Sequence, residues 1–567
     1  MATIIVQPGG ARAERQRLNL TAIAHNRLML LLILFMGITS VVVLRLIWIG
    51  IFAHGAGNGD ALSPFLPARA DIVDRNGVPL ARTMDAYSIA VRPSKLIGSP
   101  AELARKLHQI FPDEPEAVFY KKLNGRGWAY LRRRAMPEEV AAVNALGEIG
   151  IEFPREKERL YPQRTLAAHI LGFAPNSEGA GGMGVEAAFN KQLTDPALRG
   201  RPFELSIDSR VQGALESELY AQLVAQRAKG AGGIILDAKT GEVIAMASIP
   251  VFDPNKLENY AGKQCSDSPL CNHMVQARYE LGSAFKPLTI AAAMDRGVVT
   301  SMAKRYDATA PLAVAGFRIK DDHPLGRWIN VPEILVNSSN IGTARIADEL
   351  GAEPLQHLFR SLEFDQRAPI EFNERAKGIW PSSWGRITTM TVSYGHGIAV
   401  TPLHLATAYA ALVNGGMWRP ATVRKLRPED VPEGRRVYSA ATSARMRQLL
   451  RMIVSAGTGR SADAKGFRVG GKTGSAEKPQ AGRYNKTSLV TTFASAFPMD
   501  DPRYVVVTIM DEATGAFGLR TAAWTAAPVV KRVIERTGPM LGVMPDERRD
   551  VDISDLMPLL HGDKEKH

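Results

Sequence analysis

Ser283-Ala284-Phe285-Lys286 places a hydroxyl and an amine three residues apart, at the head of a stretch, Leu288 to Met294, that reads as a buried helix. Residues i and i+3 share a helix face, so the pair can act as a nucleophile and its base. A serine in a first turn also gains backbone N–H groups and the positive end of the helix dipole for an oxyanion. The lysine accepts a proton only when neutral. Bringing it from about 10.4 to near 7 costs about 4 to 5 kcal/mol and requires burial plus a second nearby cation. Alone the tetrapeptide is a weak signal, because an N-capping serine beside a solvated lysine has the same spacing. Ser301-Met302-Ala303-Lys304 matches it too, with no helix pattern behind it.

Two further clusters supply what the first lacks. Ser338-Ser339-Asn340 follows the helical stretch Val331 to Val336, 55 residues beyond Ser283, and Lys472-Thr473-Gly474-Ser475 opens an extended segment 134 residues after Ser338. Lys239-Thr240-Gly241 is a decoy: it precedes the serine and sits in a hairpin turn, where turn chemistry explains it. Residues 466–473 also satisfy G-x-x-x-x-G-K-[ST]. A phosphate loop must follow a buried strand and open a helix, which Gly474, Pro479 and Gly482 forbid, so an ATPase is set aside.

Ser-x-x-Lys, Ser-x-Asn and Lys-Thr-Gly in this order and spacing make the chain resemble the class B, monofunctional penicillin-binding proteins. Within them it looks most like the division-specific septal peptidoglycan D,D-transpeptidases of FtsI type. Arg69 to Gly77, Arg159-Leu160-Tyr161-Pro162, Gly241 to Ser248 and Tyr394 to Pro402 extend the likeness. Ala70 stands where a glycine is usual, Leu281 and Ala284 replace a Pro and a Thr, Ser475 replaces a Thr, and Ser495 replaces a Gly; none of these removes a reacting group. The resemblance implies Ser283 as nucleophile, Lys286 as general base, Ser338 as proton relay, Asn340 as donor to the substrate amide and Lys472 as the second cation. It further implies Thr473 and Ser475 as carboxylate binders beside Gly474, and an oxyanion hole from the Ser283 and Ser475 N–H groups. Ser339 receives no role. No cofactor and no metal are implied, and no zinc-type spacing occurs among the cysteines and histidines.

The elements that must position these residues form an α+β arrangement. A strand from Phe203 leads to Asp208, an N-cap for a helix with an apolar stripe at Val211, Leu215, Leu219 and Leu223. A hairpin over 232–247 follows, then helices, then strands from Phe467, around Leu489 to Phe497, and at Tyr504 to Met510. Strands at both ends of a helical middle predict an antiparallel sheet sandwiched by helices. Ahead of it, residues 68–200 mix short strands with short helices at 115–123 and 137–146, and the resemblance implies that they form an elongated mixed pedestal. The catalytic domain is assigned to 201–545. The charged tail, 546–567, reads as peripheral or disordered.

Leu28 to Leu44 is a 17-residue run without a charge, and with its continuation to Phe52 it reads as a single transmembrane helix over 28–52. It exceeds the roughly 7 to 15 apolar residues of a cleaved signal peptide. Four arginines precede it against one acid, so residues 1–27 stay cytoplasmic and the chain beyond the linker 53–67 is exported, as an inner-membrane protein with its catalytic domain outside the cytoplasm. Export strips the nucleic-acid reading from the formal charge of +13. The resemblance adds the division septum, stem peptides and lipid-II-derived glycan strands as substrates, β-lactams as inhibitors, and an FtsW-type glycan polymerase with other division proteins as partners. An elongation-type transpeptidase, a serine β-lactamase or antibiotic sensor, and a non-catalytic division scaffold are the alternatives; the roughly 130-residue pedestal argues against the lactamase, and the intact motifs against the scaffold. Cys265 and Cys271 flank a polar loop ahead of the nucleophile, and in an oxidising compartment they are expected to pair.

Overall fold

A computed structural model of the chain describes residues 25–45, 68–175, 181–257, 265, 268–480, 483–515 and 518–560. The chain divides into two units at residues 66 and 67. In the first, His25–Arg45 (α1) is a 21-residue helix, apolar and exposed along its length. At 1.5 Å per residue it is about 31 Å long, enough to cross a hydrocarbon core. The rest of the expected anchor and linker, 46–67, lies outside the described residues, as does the segment 1–24 of the expected cytoplasmic tail.

The second unit begins with strands β1 (Ile72–Val73), β2 (Pro79–Val91), β3 (Ala129–Ala135), β4 (Ile151–Glu152), β5 (Arg155–Leu160) and β6 (Phe203–Glu204). The sheet runs β3-β2-β1-β6, with β4 and β5 also pairing β2; β1 and β6 are parallel and the other pairs antiparallel. The long β2 ties two cores together. Its far end, Ile89 and Val91, packs with Leu103 and Leu107 of α2 (Pro100–Ile110), Phe119 of α3 (Glu116–Leu123) and Val143 of α4 (Pro137–Asn144) in a core of their own. Its near end, Leu80 and Ala81, joins Ile72, Ile170 and Val185 in the core of the catalytic domain. At this junction the buried Glu186 carboxylate accepts from Arg69 Nε at 2.5 Å and Arg159 Nε at 2.6 Å, so a charge that would be costly alone is paired twice. Asp74 accepts from the backbone N–H groups of Asn76 and Val78, both at 2.8 Å, which forms the turn at Gly77. Its other oxygen takes the hydroxyl of Ser209, the first residue of α5 (Ser209–Gln226), at 2.7 Å.

The catalytic sheet contains β7 (Gly230–Asp237), β8 (Val243–Ile249), β9 (Gly470–Gln480), β10 (Arg483–Phe497) and β11 (Tyr504–Asp511), antiparallel in the order β9-β10-β11-β7-β8. Side chains alternate across its faces. Ile234, Leu236, Val505, Val507 and Ile509 enter the large core. Ile235, Val506 and Met510 face the other way, onto α5 and α11 (Ala527–Thr537). On the large-core side lie α6 (Lys286–Asp295), α7 (Val331–Val336), α8 (Asn340–Leu350), α9 (Pro402–Val413) and α10 (Ala440–Ala456). Asp208 caps α5 as expected, accepting from Arg210 N at 3.0 Å. The strand expected from Phe467 starts later, at Gly470, because Arg468 has a φ of 51° and interrupts the extended backbone. Cys265 and Cys271 are joined as a disulfide.

The C-terminal tail departs from expectation. Residues 546–560 pack on the catalytic domain, with Leu556 buried in the large core and Val551, Ile553, Leu559 and Leu560 against it. Residues 561–567 lie outside the described residues.

Candidate active site

Ser283 lies in a 3₁₀ turn, Gly282–Phe285, immediately ahead of α6 rather than in its first α-helical turn; Lys286 is the first residue of α6 and Pro287 the second. Proline suits that position because its missing N–H has no partner in a first turn. Three glycines hold the turn between neighbouring backbones. A Cβ on Gly474 would fall 2.3 Å from the carbonyl oxygen of Leu281, one on Gly395 2.3 Å from that of Gly282, and one on Gly282 2.5 Å from that of Ser475. The nucleophile turn thus sits at backbone contact distance between β9 and the turn at 394–397. The buried Tyr409 hydroxyl donates to the carbonyl of Ala284 at 2.8 Å, fixing the turn from α9. Ser283 is half-buried, and its hydroxyl makes no hydrogen bond among the described residues.

Behind it the other two motifs converge on one atom. The Ser338 hydroxyl accepts from Lys286 Nζ at 3.2 Å and from Lys472 Nζ at 2.9 Å, and Lys286 also donates to the carbonyl of Ser338. To present both oxygens this way Ser338 adopts a φ of 60°, a left-handed conformation that costs a non-glycine residue energy. Lys472 further donates to the Thr473 hydroxyl at 3.1 Å. Both lysines are wholly buried.

Burial brings Lys286 down to about 7, against the pull of the Asp321 and Asp322 carboxylates. Burial, and then the charge of Lys286, hold Lys472 well below its ordinary value, with Asp322 opposing. Burial is the larger cause for each lysine, and the repulsion between two amines that share one hydroxyl bears on both. Two buried ammonium groups joined through one hydroxyl disfavour each other, so charging one amine opposes charging the other.

Asn340 opens α8, where its side-chain amide donates to the carbonyl of Lys320 at 2.9 Å. The Ser475 hydroxyl accepts from Ala522 N at 3.3 Å. Lys472, Thr473, Gly474 and Ser475 are consecutive on β9, an edge strand, in register with Ala494, Phe493, Thr492 and Thr491 of β10. Lys472 therefore lies within a strand, which also rules out the phosphate-loop reading of 466–473. Further along β9, Ala476, Glu477 and Lys478 wall a cavity of about 480 Å³ together with Arg278, Tyr279 and Glu280 of the segment entering the nucleophile turn.

Sequence reasoning missed the groups that hold the motifs in place. Asp321 accepts from Ser339 Oγ at 2.7 Å and from the backbone N–H groups of Asn340 at 2.6 Å and Ile341 at 2.9 Å. Thr458 donates its N–H to the carbonyl of Val336 and shares its hydroxyl with that of Thr473, both at 3.3 Å. His396 lies close enough for the charge of Lys286 to act with burial in lowering its pKa. The Asp321-Asp322 doublet and the Gly457-Thr458-Gly459 break after α10 were the available signals.

Comparison with known proteins places these groups in a family. Residues 231–535 match the penicillin-binding protein transpeptidase domain and residues 64–195 the penicillin-binding protein dimerisation domain. A probable peptidoglycan D,D-transpeptidase FtsI of Caulobacter vibrioides is 39% identical over 509 residues, 88% of this chain and 85% of that one. The peptidoglycan D,D-transpeptidase FtsI of Escherichia coli is 28% identical, covering 84% of each chain. The crystal structure of penicillin-binding protein 3 from Mycobacterium tuberculosis, complexed with aztreonam, shares the fold at a TM-score of 0.65 and 23% identity, covering 85% of this chain and 98% of that one. Both halves of the class B plan are thus matched in order, and the three motifs converge within the half that carries the chemistry: the chain belongs to the penicillin-binding protein transpeptidase family.

Proposed function

We propose that this chain is a septal peptidoglycan D,D-transpeptidase in which Ser283 carries the acyl group. The Ser338 hydroxyl held between two buried lysines is the observation that supports this reading most directly. Neutral Lys286 takes the proton of Ser283 as its oxygen attacks the carbonyl of a terminal D-alanyl-D-alanine bond. The Ser283 and Ser475 N–H groups stabilise the oxyanion. The C–N bond then breaks, and the departing D-alanine amine receives a proton relayed through Ser338. In the second half the amine of another stem peptide attacks the ester, gives its proton back through Ser338, and Ser283 leaves protonated.

The substrate carboxylate biases which of the two amines is charged. A terminal carboxylate at Thr473 and Ser475 must lose its water, at a cost offset by charge-assisted hydrogen bonds. Its negative charge favours the proton on the neighbouring Lys472, which leaves Lys286 neutral for its task. Asn340 holds the substrate amide, and the upstream part of the stem runs along the edge of β9. β-Lactams enter as mimics of the same terminus, in keeping with the aztreonam complex of the M. tuberculosis relative.

The apolar helix α1 anchors the protein as a single pass, with the N-terminus cytoplasmic and the catalytic domain outside. The septal assignment rests on the FtsI relatives, and α1 and the pedestal are the surfaces offered to an FtsW-type glycan polymerase and other division proteins. A fluorescent penicillin should label Ser283 stoichiometrically, with an adduct lasting minutes to hours by intact mass. Ser283→Ala should abolish labelling. Loss of the adduct within seconds, with steady drug turnover, would make the chain a hydrolase instead.

A further inference from the structure

The C-terminal segment read as peripheral in the sequence runs between the elements that carry the second and third motifs. It starts beside β9: Asp546 N donates to the carbonyl of Gly466 at 2.8 Å, and Arg549 pairs with Asp500 at 2.6 Å. It then follows α10. Arg451 Nε meets Asp550 at 2.8 Å, Gln448 Nε2 donates to the carbonyl of Asp552 at 2.6 Å, and Arg445 meets Asp555 at 2.5 Å. It ends at α7, where the buried Asn330 side chain donates to the carbonyl of Leu559 at 2.7 Å.

Two of these contacts, those of Arg451 and Asn330, lead toward a motif. Arg451 also donates to the carbonyl of Val469 at 3.0 Å, immediately before β9 and three residues before Lys472. Asn330 is the N-cap of α7: its Oδ1 accepts from Glu333 N at 3.0 Å while its Nδ2 holds the tail. Two residues beyond the end of that helix lies Ser338. Pairs this exposed contribute little to folding one by one, but a row of them over a buried Leu556 fixes a register.

We propose that residues 546–560 form a positioning strap that sets α7 and β9 against α10, and thereby holds Ser338 at bonding distance from both Lys286 and Lys472. The strap touches no substrate and acts through those side chains. The inference rests on the reading of Ser338 and Lys472 given above, and penicillin labelling of the unaltered protein tests that reading separately.

The test uses the full-length protein in detergent and separates the binding step (Ks) of a fluorescent penicillin from acylation (k2). Three changes are compared: a stop codon after Pro545, Asn330→Ser, and Arg445→Asp with and without Asp555→Arg. Serine caps helices as well as asparagine does, so Asn330→Ser removes the tail contact and leaves the start of α7 intact. Because small misplacements of reacting groups cost rate steeply, k2 should fall about tenfold or more on truncation while Ks stays within about threefold. The pH profile of k2 should shift, since loosening Ser338 opens Lys286 to water and burial is what lowers its pKa. Asn330→Ser should show the same split with unchanged melting temperature, the reversed pair should regain what Arg445→Asp loses, and a synthetic peptide of residues 546–560 should restore k2 to the truncated protein. Should truncation prevent folding, Asn330→Ser and the charge reversal decide. Parental k2 and pH profile in these variants, or a smaller labelled fraction with k2 unchanged in the molecules that label, would overturn the strap.

Discussion

The Asp321 carboxylate accepts the Ser339 hydroxyl at 2.7 Å, which gives the middle residue of the second motif its task. With the N–H groups of Asn340 and Ile341 on its other oxygen, Asp321 closes the loop that follows Ser338. Ser339 in turn caps α8, accepting from Gly342 N at 3.0 Å. Hydrogen bonds to a charged group contribute about 1.5 to 3 kcal/mol each, and an amide cannot accept on both sides. Asp321→Asn should therefore slow acylation of Ser283 about tenfold, read by stopped-flow with a fluorescent penicillin. A change within twofold would remove Asp321 from the machinery.

Acylation should follow the deprotonation of Lys286, whose pKa burial sets at about 7. The neutral amine is the active form, so k2/Ks, which reports the free enzyme, should rise with pH through a midpoint near 7 and fall about tenfold per unit well below it. A profile flat between pH 6 and 8 would point to a different base.

Gly474→Ala should leave the protein folded but nearly unreactive. The new methyl would lie 2.3 Å from the Leu281 carbonyl oxygen, so β9 and the nucleophile turn must part, and a displacement near 1 Å costs about a hundredfold in rate. Circular dichroism and k2 measured together check this.

Peptide mapping without reduction should recover Cys265 and Cys271 as a linked pair from protein taken from its native compartment, in line with the disulfide of the structure. Recovery of both as alkylated thiols would show that the rim of the cavity at Glu280 is held by packing alone.

Protease added outside spheroplasts should digest the chain beyond the anchor, as the four arginines ahead of Leu28 require. Protection of the catalytic domain would reverse the orientation.

The proposed reacting groups were legible in the sequence because their chemistry demands short, fixed spacings: Ser283 and Lys286 share a turn boundary, and Lys472 to Ser475 a strand. Tyr504 to Met510 was likewise read as a strand, and the structure buries every residue of it. What supports these groups was not legible. Asp321 and Thr458 act across tertiary contacts that leave no local period, and the tail was misread because Asp550, Asp552 and Asp555 mask the apolar residues between them. Val551, Ile553 and Leu556 become a packing face only once Arg445 and Arg451 of α10 are brought alongside. The 3₁₀ turn at Ser283 was missed for a similar reason, since Gly395 and Gly474 impose it from outside.

β2 joins two cores of unequal size that need not come apart together. The far core, around Leu107 and Phe119, is small and separate, whereas the near end of β2 is built into the same packed mass as the catalytic helices. Heating should therefore melt the molecule in two calorimetric steps, the lesser belonging to the far core.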